Sequence, residues 1–280
     1  MPCRERMMEK GPEESRSVMV DRDLLRQITV AAAVSGGFII GVSGDYGNAA
    51  AGPSLVVPAG YAFGIWAPIY VGLFSHAVYQ ALPARRRDPV LRRTGWATAC
   101  AVGLSGFWVW AQDAPGLELS LIAVTAAAAV TAYTRAAPVL QTEAVSVRDR
   151  WMVRVPLGLF SGWITVATVA GGGEALLAAG ISAPWPGAEA WSAAVLVAAG
   201  GAAAALAWWR PVSLAYAAAV TWGLAGVAVR VLPQYPVPGA AALLAGVAVA
   251  AAGVAGARRR RAGRAGVGRA SGTGTAAPTA

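Results

Sequence analysis

Apolar runs of 17 residues or more recur eight times along this chain, near 27–44, 58–82, 95–112, 117–135, 151–172, 190–209, 211–231 and 238–257. Each is close to the roughly 20 residues a helix needs to cross a hydrocarbon core about 30 Å thick. The pattern predicts an all-α integral membrane protein of eight transmembrane helices. Composition points the same way: of 280 residues, 56% are hydrophobic and 13% charged, with a mean hydropathy of +0.53. A soluble domain carries about 25% charged residues, so a soluble enzyme is excluded, as are a coiled coil and a disulfide scaffold. Cys3, in the charged N-terminus, and Cys100, within an apolar run, make neither a disulfide nor a metal site.

The cations fall on alternate connections. Arg4, Arg6, Lys10, Arg16, Arg22 and Arg26 precede the first run, and Arg85, Arg86, Arg87, Arg92 and Arg93 lie between the second and third. Arg135, Arg148, Arg150 and Arg154 follow the fourth run and Arg210 the sixth, while Arg258, Arg259, Arg260, Arg261, Arg264 and Arg269 follow the eighth. With eight crossings, every cation but Arg230 lies on one side. The positive-inside rule places that side, with both termini, in the cytoplasm, and the expected location is the bacterial inner membrane. The net charge of +9 is then a topology signal and not a nucleic-acid face. Residues 1–26 read as a charged cytoplasmic N-terminus and 258–280 as a basic, disordered cytoplasmic tail. No cleavable signal peptide is expected, and Met19 is a second candidate start.

No internal repeat is evident, and no Asp, Glu, Lys or Arg sits near the middle of a run. Coupled pumps and proton relays usually need one there, which argues against active transport. The aromatic residues carry more information. Phe63, Trp66 and Tyr70 share a helical face in the second run, with Tyr61 at its mouth, and Pro68 is placed to kink that helix. The fifth run holds Pro156, Phe160, Trp163 and Ala167 at steps of 4, 3 and 4, while Gly158 and Gly162 offer a separate close-packing face. Phe107, Trp108 and Trp110 end the third run. Each group has an ordinary explanation in helix packing or an interfacial belt.

Together these segments resemble the tryptophan-rich sensory protein family (TspO/MBR), which includes the mitochondrial translocator protein. Pro58-Ala-Gly-Tyr61-Ala-Phe63-Gly-Ile-Trp66 through Tyr70 is similar to the signature of the family's second helix. Ser105-Gly106-Phe107-Trp108 keeps the Trp of the third-helix motif but lacks its Asn. Pro156 through Phe160 and Gly162-Trp163 resembles the fifth-helix motif, with Phe in place of Tyr. The resemblance covers 27–172 and implies a five-helix core with a Trp-lined cavity for tetrapyrroles such as protoporphyrin, or for sterol-like hydrophobic ligands. It implies no required cofactor, and its candidate lining is Tyr61, Phe63, Trp66, Tyr70, Trp108, Phe160, Trp163 and Ala167. Residues 173–257 read as a three-helix extension whose Ala/Gly faces suit tight packing or a homodimer, with Trp222 in mid-span. The first loop, from Asp45 to Val57, is shorter than the family's lid.

His76, the single histidine, reads as structural, with Gln80 one turn on as its expected partner. Asp45, Asp113, Glu118, Glu174 and Glu189 lie on the non-cytoplasmic side and read as solvated loop residues. Asp113 and Glu118 flank the Trp108 end, however, and an acid above an aromatic pocket could protonate an isoprenoid. A small membrane terpene cyclase is therefore the alternative to a binding or sensory protein.

Overall fold

Asp88, Pro89 and the residues after them show how local chemistry sets the helix ends. The Asp88 carboxylate accepts hydrogen bonds from the backbone N–H groups of Val90 (2.9 Å) and Leu91 (3.3 Å), and Pro89 takes the first helical position, where a missing N–H costs nothing. The third helix therefore covers Pro89–Ser105 and not 95–112: its cap, and not its apolar stretch, decides where it starts.

The computed structural model describes residues 12–44, 54–111, 113–136, 146–181, 183, 185–209 and 214–272. The labelled helices are α1 (Pro12–Val42), α2 (Trp66–Ala81), α3 (Pro89–Ser105), α4 (Pro115–Ala136), α5 (Val155–Ala178), α6 (Ala188–Trp209), α7 (Leu214–Val231) and α8 (Pro236–Gly272). A 3-10 segment, Gly60–Ile65, leads into α2, and a π-helical turn, Arg150–Arg154, leads into α5. Among the described residues, seven helices are long and apolar enough to cross a membrane. The expectation of eight is not met by that measure, because α3 has 17 residues and carries Arg92 and Arg93 in its N-terminal half.

Successive helices run up and down between a basic end, which carries Arg22, Arg26, Arg85 to Arg93 and Arg148, and a far end. Five of them close a ring in the order α1, α3, α4, α5, α2. Glycines allow the closest approaches. A Cβ on Gly106 would meet the Gly37 carbonyl at 2.6 Å, and one on Gly162 would meet the Tyr216 carbonyl at 2.5 Å, so Gly162 provides the close face expected of it, against α7. α7 packs on α5, while α8 packs on both α6 and α7.

Pro68 is the third residue of α2, just after the 3-10 segment. One further expectation changes. The stretch from Arg258 continues α8 as far as Gly272 and is not a disordered tail from its first residue. Ala and Arg are strong helix formers, so the helix outlasts its apolar part. Residues 1–11, 45–53 (with Asp45 and most of the first loop) and 273–280 lie outside the described residues.

Candidate functional site

The ring encloses an aromatic cluster. Trp66 stacks on Tyr70, one turn below it, with ring centres 5.2 Å apart and planes 23° from parallel. Across the ring it meets Trp163 edge-on at 6.4 Å and Phe160 at 6.4 Å, while Phe63 meets Trp163 at 5.5 Å and Phe38 of α1 meets Tyr70 at 4.8 Å. Edge-to-face and offset contacts are the favoured geometries of aromatic pairs. Trp163 is 1% exposed and Trp66 9%, and the indole Nε1 of each is buried with no hydrogen-bond partner. Five of the eight lining residues expected from the sequence thus converge: Phe63, Trp66, Tyr70, Phe160 and Trp163.

The other three do not join them. Tyr61 is exposed and points to α7, edge-on to Trp222 at 5.8 Å. Trp108 and Ala167 lie nearer the far end, where they line a small void with Ser105, Ile122, Thr125 and Ile164. That void holds about 10 Å³, room for one water molecule. The hydroxyl of Thr125 is buried there without a partner, while Trp108 Nε1 donates to Glu118 Oε1 at 2.8 Å. Glu118 is buried, not a solvated loop residue, whereas Asp113 is exposed.

A family model described as TSPO-like protein matches residues 25–255, most of the chain, and reaches beyond α5 into α8. The chain belongs to the TSPO-like family. It is a multi-pass membrane protein, as the sequence motifs implied. The search of curated proteins and the search of solved structures found no match.

In this TSPO-like protein α7 holds the lead-in to α2. Trp222 Nε1 donates to the Ala62 carbonyl at 2.8 Å, Ala59 N–H donates to the Gly226 carbonyl at 3.0 Å, and Arg230 Nη1 donates to the carbonyls of Ser54 (3.1 Å) and Val57 (3.2 Å). A Cβ on Gly226 would press on Ala62 at 2.8 Å. The aromatic signature is thus positioned by a helix far away in the chain. Trp222 is part of that clamp, and Arg230, the one cation at the far end among the described residues, serves it.

The basic end is tied by polar side chains. Arg92 Nε donates to both oxygens of Asp23 (2.9 and 3.1 Å), and Arg26 Nη2 donates to the Arg86 carbonyl at 2.8 Å. Gln80 Nε2 donates to the Gln27 carbonyl at 2.9 Å, and Gln27 Nε2 to that of Gln80. His76 Nδ1 donates to the Met152 carbonyl at 2.9 Å. Its partner is therefore the π-helical turn and not Gln80. Among the described residues no group of three His, Cys, Asp or Glu could hold a metal ion.

Proposed function

We propose that the chain binds a planar or hydrophobic metabolite, a tetrapyrrole or an isoprenoid or sterol-like molecule, within its five-helix ring, for sensing, regulation or facilitated passage. One observation carries this reading: the two buried indole donors of Trp66 and Trp163, set in one aromatic cluster, lack an acceptor. An unsatisfied buried donor costs about 1–3 kcal/mol, and a ligand carbonyl or carboxylate would supply the missing partner. Aromatic faces add about 0.5–1.5 kcal/mol per stacked pair beyond burial. A drug-sized ligand needs a pocket of roughly 300–1,000 Å³, far more than the void beside Trp108. Binding therefore parts α2 from α5, which meet at Gly72, where an added Cβ would touch Pro156 at 3.3 Å. Tyr61, Trp108 and Ala167 join the lining as the rings separate. No cofactor is required, and a porphyrin-type molecule acts as the ligand itself.

In this reading the basic end and both termini face the cytoplasm of a bacterial inner membrane, and α3 is the eighth crossing. Residues 27–172 form the ligand-binding core. Residues 173–257 hold its lead-in segment and present α6 and α8 to lipid or to a second copy.

Protoporphyrin titration followed by Trp fluorescence tests the proposal. Saturable quenching at micromolar ligand, weakened in Trp66→Phe and Trp163→Phe, is expected; linear quenching unchanged in the variants would overturn it. The buried Glu118 beside Trp108 favours one second reading, an acid acting on an isoprenoid. Glu118→Gln would then abolish product formation while sparing binding.

A further inference from the structure

The outer face of the ring carries a groove at the basic end that the interior ligand would not use. Phe74 and Val78 of α2 and Leu82 just past its end form one wall, Arg148 and Met152 the other, and Tyr79 the floor, around a volume of about 530 Å³. Phe74 to Leu82 span eight steps along the end of α2, roughly 12 Å at 1.5 Å per residue. The trough therefore runs from the level of Arg148 toward the middle of the bilayer.

The groove is built in advance. His76 Nδ1 donates to the Met152 carbonyl and fixes the second wall to α2. The π-helical turn that starts at Arg150 separates Met152 from a regular helical path, and such turns recur at functional sites. The acids near the rim are already engaged. Asp149 accepts from the Tyr79 hydroxyl and from Ser146, and Arg85 bridges it at 3.2 Å and Asp88 at 3.3 Å. Arg85 also lies 4.7 Å over the Tyr79 ring. Arg148 is exposed at the mouth and has no ion pair among the described residues. Trp151, 64% exposed, stands next to it at the depth where Trp favours the headgroup layer.

An apolar trough with one free guanidinium at its polar mouth matches an amphiphile with an anionic head. We infer that this groove is a binding site for an anionic phospholipid of the leaflet at the basic end, its phosphate on Arg148 and an acyl chain along Phe74, Val78 and Leu82. Basic pockets between transmembrane helices recognise such headgroups, and a Lys or Arg near the surface contributes about 1 kcal/mol, or roughly fivefold in affinity. The site lies on the outer face of the ring, apart from the interior aromatic cluster.

The test uses the full chain, delipidated in detergent, with binding read by native mass spectrometry and by thermal unfolding. The probes are dioctanoyl phosphatidylglycerol, dioctanoyl phosphatidylcholine and inorganic phosphate. Phosphatidylglycerol should bind about fivefold tighter than phosphatidylcholine. Arg148→Gln should erase that preference, and Arg135→Gln, at the same end on α4, should keep it. Val78→Trp, at an exposed position, should fill the trough and weaken both lipids. Equal binding of the two lipids, or equal losses in Arg148→Gln and Arg135→Gln, would overturn the site. Saturation by phosphate alone would overturn the lipid as its occupant, and unchanged lipid binding in Val78→Trp would overturn the trough.

Discussion

Trp66 and Trp163, like the Thr125 hydroxyl, lack the partner that most buried polar groups of the ring find. Ser161 donates to the Ala129 carbonyl and Thr165 to that of Ser161, as buried polar groups usually do, while these two indoles donate to nothing. Stability and binding should therefore move in opposite directions on substitution. Trp66→Phe removes an orphan donor worth about 1–3 kcal/mol while losing some indole area, so its unfolding midpoint in detergent should hold or rise as protoporphyrin affinity falls. A tryptophan that only packed would give the reverse, a lower midpoint and unchanged affinity. Glu118 offers a second comparison. Glu118→Gln keeps an oxygen for Trp108 and should stay within about 1 kcal/mol of the native chain, whereas Glu118→Ala orphans the indole and should cost about 1–3 kcal/mol by equilibrium unfolding. The aromatic stripe was legible because its steps of 4, 3 and 4 are a property of the chain itself. The partner of His76 was not, since a backbone carbonyl at Met152 leaves no mark in a sequence.

The element least legible in advance is α7. Nothing in its Ala, Val and Gly composition announces a partner, because the groups it holds are carbonyls more than 150 residues earlier in the chain. Its removal has a local reading. Trp222→Phe deletes one hydrogen bond to the lead-in segment and Arg230→Gln weakens two, each worth about 0.5–1.5 kcal/mol net. Amide exchange across 54–65 should accelerate several-fold in each variant while exchange in α4 stays as it was. Uniform acceleration along the whole chain would mean that α7 acts on overall stability and not on that segment. Gly162→Val examines the α5–α7 contact itself. The new Cβ would press on the Tyr216 carbonyl and on the Ala219 methyl, and overpacking of this kind costs about 1–3 kcal/mol. The third helix teaches a different lesson. Its Asp88-Pro89 start signal was present in the sequence, and a reading by apolar length alone passed over it.

At the scale of the whole molecule the question is whether α3 crosses the membrane, since length and composition leave it out of the seven. Its contacts with α1 argue that it does. Near its start Arg92 bonds Asp23 of α1, and just past its end Gly106 meets Gly37 while Trp110 Nε1 donates to the Ile40 carbonyl at 3.2 Å. Asp23 and Ile40 are 17 residues apart on a helix that crosses, about 26 Å at 1.5 Å per residue, so α3 and the turn after it accompany α1 over nearly the whole hydrocarbon thickness. The two arginines of α3, Arg92 and Arg93, sit at the basic end, and Arg92 is paired to Asp23. A chain lacking Cys3 and Cys100 and carrying one new cysteine at Ala84 or at Asp113 separates the alternatives. With an impermeant thiol reagent on intact cells, the Asp113→Cys protein should be labelled and the Ala84→Cys protein protected. Labelling of both from one side would leave α3 as a helix lying within one leaflet, and would also undo the charge argument that places both termini together.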